Sequence, residues 1–257
     1  DILFDGALTD TNVKIALAPY SASVNAGEFA NDVTALPKAT SCYRPCWSCK
    51  RICTDTTGNL TDTCVLERQG GEAFTDAAPS GSARLPNVMS LPSVPARYTC
   101  PGPSVIPLSD RTHRDELKAA IQDYSAAGAT AAWGWYLLSP NWASVFPAES
   151  APRPYGKGNV QKAMIVMTDG EFNTSYAGDA DQTAQAYSYF DNLCAAAKAD
   201  GIAIYTVGFD LNVPDALAHL ESCASSPAHF YDAKTGAQLK GAFKDIANKL
   251  ANLRVAS

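Results

Sequence analysis

The spacing of apolar and polar positions divides this chain into two unlike parts. From residue 109 onward, apolar runs of strand length take turns with stripes of helical period. Ala163-Met164-Ile165-Val166-Met167-Thr168 is a short apolar run that stops at the turn signal Asp169-Gly170, which predicts a buried parallel strand. Ile202 to Phe209, rich in β-branched and aromatic residues, predicts a second strand, and His229 to Asp232 a short third one. Thr183 to Lys198 places Tyr187, Phe190, Leu193, Cys194 and Ala197 on one helical stripe. Pro214 to Cys223 reads as a shorter helix and Leu239 to Leu253 as an amphipathic last one. Upstream, Ser109-Asp110 opens a helix with Leu117, Ile121 and Tyr124 at i, i+4, i+7, and Thr130 to Ser139 is an apolar helix closed by Pro140. Strands alternating with helices in this way predict a doubly wound α/β fold.

The N-terminal part breaks this rhythm. Val13 to Tyr20 alternates, runs apolar and meets Pro19, as a strand leaving a sheet does. Then Pro, Ser, Thr, Gly and Cys dominate and no periodic segment of any length appears. So long a stretch is not one loop of a compact domain. The expected organisation is an α/β domain formed by residues 1–20 and 109–257, with a cysteine-rich inserted region at 21–108 in which disulfides substitute for a thin core.

Composition narrows the setting. A net charge of −6 lacks the basic footprint of a nucleic-acid binder. Of eight cysteines, Cys42, Cys46, Cys49, Cys53, Cys64 and Cys100 fall in the inserted region and point to an oxidising compartment. The Cys-x3-Cys-x2-Cys-x3-Cys spacing of the first four is also met in zinc modules, but an even set without two separated Cys-x-x-Cys pairs favours disulfides. His113, His219 and His229 lack metal-ligand spacing and read as surface or packing residues. No apolar run reaches the roughly 18 residues of a membrane span, and Asp1 to Asp5 has no signal-peptide character. An oxidised chain without its own export signal is expected to have lost a segment upstream.

The best single site residue is Asp169, because ligands of open α/β sheets bind at the C-terminal edge of the strands. The competing reading, that Asp169-Gly170 only turns the chain, has equal weight on these residues alone. An enzyme would need more. Asp169 and Glu171, or Asp179 and Asp181, supply paired carboxylates, yet there is no G-x-S-x-G elbow and no histidine with an adjacent partner. Trp133, Trp135, Tyr136 and Trp142 stand at helical spacing and read as core rather than as a stacking platform.

The segments KAMIVMTDGEFN, LCAAAKADGIAIYTVGFD, LESCASSPAHFYDA and FKDIANKLANLRVAS resemble the C-terminal half of a von Willebrand factor A-like domain, more narrowly that of TadG-like proteins of bacterial Tad (Flp-type) pilus assembly. VKIALAPYSASVNAG, TCVLERQGGEAFTDAAP and AWGWYLLSPNW are similar to further segments of that family, in the family's order. The resemblance implies a Rossmann-like, mostly parallel sheet flanked by helices. It also implies a non-enzymatic, extracytoplasmic module that binds other proteins in pilus assembly or surface adhesion, anchored to the membrane upstream of this chain and located in the periplasm or at the cell surface. The family's metal-ion-dependent adhesion site holds Mg²⁺ with an Asp-x-Ser-x-Ser loop, a Thr and an Asp. Asp169 matches the last of these and Thr130 the Thr, but the Asp-x-Ser-x-Ser loop is missing and the stretch after Thr130 is short, so Mg²⁺ is expected only where that loop is present. The resemblance also implies a disulfide between Cys194 and Cys223. The alternatives are a secreted metal-dependent hydrolase on the same fold, or a structural subunit of a surface filament.

Overall fold

A computed structural model of the chain describes residue 4 and residues 13–20, 23–35, 41–43, 52–54, 60–61, 63–87, 102–122, 131–156, 160–170, 172 and 182–253. The strands are β1 (Ile15–Leu17), β2 (Val24–Asn25), β3 (Ser41–Tyr43), β4 (Ile52–Thr54), β5 (Leu60–Thr61), β6 (Cys64–Val65), β7 (Ile106–Ser109), β8 (Ala163–Thr168), β9 (Ala203–Phe209) and β10 (Phe230–Ala233). The helices are α1 (Ala30–Val33), α2 (Arg114–Gln122), α3 (Ala132–Tyr136), α4 (Gln182–Ala199), α5 (Pro214–Cys223) and α6 (Gly236–Leu253).

The apolar runs near the C-terminus build a three-stranded parallel sheet in the order β10-β9-β8. β8 lies alongside β9 from Ala163 opposite Ala203 to Thr168 opposite Gly208. Helix α4 joins β8 to β9 and α5 joins β9 to β10, the crossovers that parallel pairing demands, and α6 follows the last strand. The predicted stripe of α4 is the buried one: Tyr187, Phe190, Leu193, Cys194 and Ala197 are all inside. On α2 the periodic reading holds for Leu117, which is buried, and fails for Ile121, which is 59% exposed. Ser109 ends strand β7 instead of opening that helix, and Asp110 caps the following turn by accepting from the Thr112 amide.

β1 does not join this sheet. It pairs antiparallel with β7, Ile15 opposite Ser109 and Leu17 opposite Ile106. On one side of the two sheets a single apolar cluster runs without interruption, from Val24, Phe29 and Val65 of the 21–108 region through Trp133, Tyr136 and Trp142 to Met164, Val166 and Leu193. On the other side the described residues form a cluster of Phe4, Ile106 and Leu117 over β1 and β7 and another of Tyr205, Val207 and Ile246 over the parallel sheet. The described residues of the 21–108 region therefore share their core with the α/β part.

An aromatic block forms the middle of the continuous core. Tyr136 and Trp142 stack with centroids 4.3 Å apart, and Trp133 meets Trp142 edge-on at 5.7 Å. Such rings add about 0.5–1.5 kcal/mol per pair beyond their burial. The block reaches β8 closely at Gly134, where a Cβ would stand 2.6 Å from the Met164 sulfur. The Arg68 guanidinium is buried over the faces of Tyr136 and Trp142, 4.9 and 5.3 Å from their centroids, and donates to the carbonyls of Thr75 and Ala77 at 3.0 and 2.6 Å. Among the described residues no helix is long and apolar enough to cross a membrane.

Candidate functional site

The C-terminal edge of the parallel sheet carries Asp169, immediately after β8. Its side chain is exposed, because Thr168 ends the strand buried and the chain then turns. The turn is held locally: Thr168 Oγ1 accepts from the Gly170 amide at 3.2 Å and donates to the Gly170 carbonyl at 3.1 Å. Phe172, just beyond, is buried and stacks on Phe190 at 4.5 Å, so the loop is fastened on both flanks while Asp169 faces solvent. Tyr20 reaches the same strand end from the other sheet, its hydroxyl donating to the Met167 carbonyl at 2.6 Å.

Two further aspartates lie along this edge. Asp210 follows β9 with φ of 50°, a left-handed conformation that Asp tolerates better than most residues, and its amide donates to the Ala233 carbonyl at 2.8 Å. Asp232 in β10 pairs with Lys234 at 2.9 Å. Mg²⁺ requires about six hard oxygens in octahedral array. Among the described residues no three His, Cys, Asp or Glu side chains converge in that way, and the Thr168 hydroxyl is engaged in its own turn. The described residues by themselves do not fit the ion. Thr130, Glu171, Asp179 and Asp181 lie outside the described residues.

At the opposite end of the strands the structure assembles a polar cluster that the apolar pattern does not announce. Asp76, from the 21–108 region, accepts from Ser139 Oγ at 2.6 Å, Asn141 Nδ2 at 3.0 Å and the Tyr155 hydroxyl at 2.9 Å, and its carbonyl accepts from Trp142 Nε1 at 3.2 Å. Trp135 Nε1 is shared between Tyr155 Oη and Asp200 Oδ2, each at 3.1 Å. Lys162, just ahead of β8, lies over the Tyr155 ring at 4.3 Å and donates to the carbonyls of Leu138 and Arg153. Partial burial pulls the Lys162 ammonium down to about 8, against the opposing charges of Asp76 and Asp200. Burial, reinforced by the charge of Asp76, raises Asp200.

The sign of the Lys162 effect follows. The folded chain gives up this proton near pH 8 and the unfolded chain near 10.4, so between those values the unfolded state binds more protons and stability rises with pH. The thermal midpoint of the wild-type chain, measured relative to Lys162→Met, is expected to climb between pH 7.5 and 9.5. A constant difference across that window would sink the assignment.

His219 and His229 have packing roles, and His113 is a surface residue. His219 Nδ1 sits 2.8 Å from Asp191 and its ring stacks on Tyr187 at 4.1 Å, tying α5 to α4. His229 packs against Tyr205 at 4.2 Å, and His113 is exposed beside Asp110. Cys194 and Cys223, both buried, form a disulfide that links the same two helices. Cys64 is disulfide-bonded, and strand register sets Cys42 opposite Cys53; Cys46, Cys49 and Cys100 lie outside the described residues.

Comparison with known proteins gives one family and a set of distant structures. The family model described as "von Willebrand factor type A domain" matches residues 103–245, more than half of the chain. The chain is similar to the pilus adhesin SpaC from Lactobacillus rhamnosus GG, with 13% identity, a TM-score of 0.42, and coverage of 57% of this chain and 22% of that one. It is also similar to proximal thread matrix protein 1 (PTMP1) from the mussel byssus, solved with a zinc occupied MIDAS motif, with 20% identity, a TM-score of 0.36, and coverage of 57% and 31%. The chain thus spans less than a third of either protein's length. No curated protein matches it.

Proposed function

Because this chain belongs to the von Willebrand factor type A domain family, we propose that it is a non-enzymatic, extracytoplasmic protein-binding module that acts in Tad-type pilus assembly or surface adhesion. The observation that carries the reading is Asp169, an exposed carboxylate delivered by β8 to the edge where open α/β sheets take ligands. Its contribution is a fixed negative charge and two acceptor oxygens for a partner's amide, hydroxyl or cationic group. The buried Cys194–Cys223 bond suits an oxidising, extracytoplasmic setting. In this reading the parent protein is membrane-anchored upstream, and the 21–108 region flanks the binding edge and contributes partner specificity, as loops on a rigid scaffold commonly do. Mg²⁺ joins Asp169 and Thr130 only together with an Asp-x-Ser-x-Ser loop, a motif absent from residues 1–257.

The test uses purified pilins and envelope subunits of the Tad system from the source bacterium as probes on the immobilised chain. At least one is expected to bind, and Asp169→Asn to weaken it at least tenfold with circular dichroism and thermal midpoint unchanged. Charge removal at an exposed strand end leaves the fold intact, since surface changes usually stay within about 0.5 kcal/mol. Binding to none of the probes, or equal binding by the variant, would overturn the reading.

A further inference from the structure

Between β1 and β2 stands Tyr20, a nearly buried residue that contacts both β8 and the inserted region. Three observations meet there. Its hydroxyl donates to the Met167 carbonyl, two residues before Asp169, across a sequence separation of 147. Its backbone bridges Val24 antiparallel, at the start of the small sheet in which Val24 and Asn25 lie opposite Val65 and Cys64. That small sheet is tightly fastened: Val24 is fully buried, Cys64 is disulfide-bonded, the Val105 amide donates to the Asn25 carbonyl at 2.9 Å, and the Asn25 side chain holds the Gly27 amide and the Gly102 carbonyl at 3.0 and 3.2 Å.

Among the described residues β1 and β8 belong to different sheets, and no ladder of backbone bonds fixes the end of β8 against β1. The Tyr20 hydroxyl makes a side-chain bond across that junction, at a carbonyl whose strand leads directly into the Asp169 turn.

We propose that Tyr20 is a positioning residue for the Asp169 loop and couples that loop to the seating of the 21–108 region. The proposal rests on the reading of Asp169 as the binding carboxylate. A partner that grips the inserted region changes the presentation of Asp169 through this bond, and the carboxylate's own occupancy feeds back on the inserted region, as linkage requires.

Tyr20→Phe keeps the ring and removes the hydroxyl. Amide hydrogen exchange followed by mass spectrometry is expected to speed up about tenfold over residues 166–170, the effect of losing one hydrogen bond, while β9 and α6 keep their protection. Val24→Ala, which loosens the small sheet, is expected to raise exchange at 166–170 in the wild-type background and to add little in Tyr20→Phe. If Val24→Ala does not fold, Asn25→Ala serves in its place. Equal additions in both backgrounds, or a Tyr20→Phe effect spread evenly over the chain, would overturn the coupling. Exchange is read without any partner, so it stands or falls separately from the pilin-binding test. If a pilin does bind, Tyr20→Phe is expected to weaken it at a temperature where the variant is fully folded, with no more than the few-degree fall in thermal midpoint that one lost hydrogen bond brings, which a merely structural tyrosine would not do.

Discussion

Arg68→Ala is expected to cost about 4 kcal/mol of stability, a fall in thermal midpoint of roughly 8–16 °C for a chain of this size. The guanidinium lies inside, 1% exposed, where its two donated bonds are to the carbonyls of Thr75 and Ala77 and its faces are covered by Tyr136 and Trp142. Truncation leaves both carbonyls without those donors and opens space beneath the aromatic rings. Residues 75–77 also carry Asp76, so the loss spreads to the bonds from Ser139, Asn141 and Tyr155. Arg68→Lys is expected to recover less than half, because one ammonium does not reproduce a planar fork that spans two carbonyls. Chemical denaturation of the three proteins measures this, and a change below about 1 kcal/mol for Arg68→Ala would show that the pin is dispensable.

The second large effect belongs to the disulfide. Cys194→Ala with Cys223→Ala is expected to destabilise the chain by about 3.5 kcal/mol, the chain-entropy value for a loop of 29 residues. Both cysteines are 1% exposed, so reductant is expected to leave this bond intact in the folded protein, and the urea midpoint of the unreduced double variant is expected to lie below that of the unreduced wild type. Matching midpoints for the wild type and the double variant would remove the bond from the list of stabilising features. Besides closing a loop, the bond holds α5 against α4, next to the His219–Asp191 contact between the same helices.

Much of the α/β part can be read directly from residue pattern. Ala163–Thr168 and Pro214–Cys223 have the bounds that their apolar runs predict, β9 starts one residue later than expected, and α4 extends one residue further at each end. In these segments one strong signal, burial of a run or stripe, decides the structure. Trp133, Trp135, Tyr136 and Trp142 are core, as helical spacing indicates, although α3 is short because Pro140 and the turns before it stop the helix early. The pattern fails where pairing is non-local. β7 has four residues and β2 and β6 two each, too few for a period, and each is held by a partner far along the chain. The same holds for the polar clusters. Asp76 and Asp200 are 124 positions apart, and nothing in LERQGG distinguishes Arg68 from a surface arginine except that it continues the apolar run of Cys64, Val65 and Leu66. The place of Asp169 at the end of β8 is legible because a strand end and a turn signal coincide there; the bond from Tyr20 to Met167 is not, since its partners are 147 positions apart.

The aromatic block has an optical consequence. Of the four tryptophans, Trp133, Trp135 and Trp142 are buried where the 21–108 region meets the α/β part, and Trp47 lies outside the described residues. Their ultraviolet fluorescence reports on that seam, whereas far-ultraviolet circular dichroism is dominated by α4 and α6, two helices of 18 residues each. One denaturation series followed by both signals therefore reads two different parts of the molecule, and whether the curves superimpose tells whether the seam and the helical layers come apart in one cooperative step.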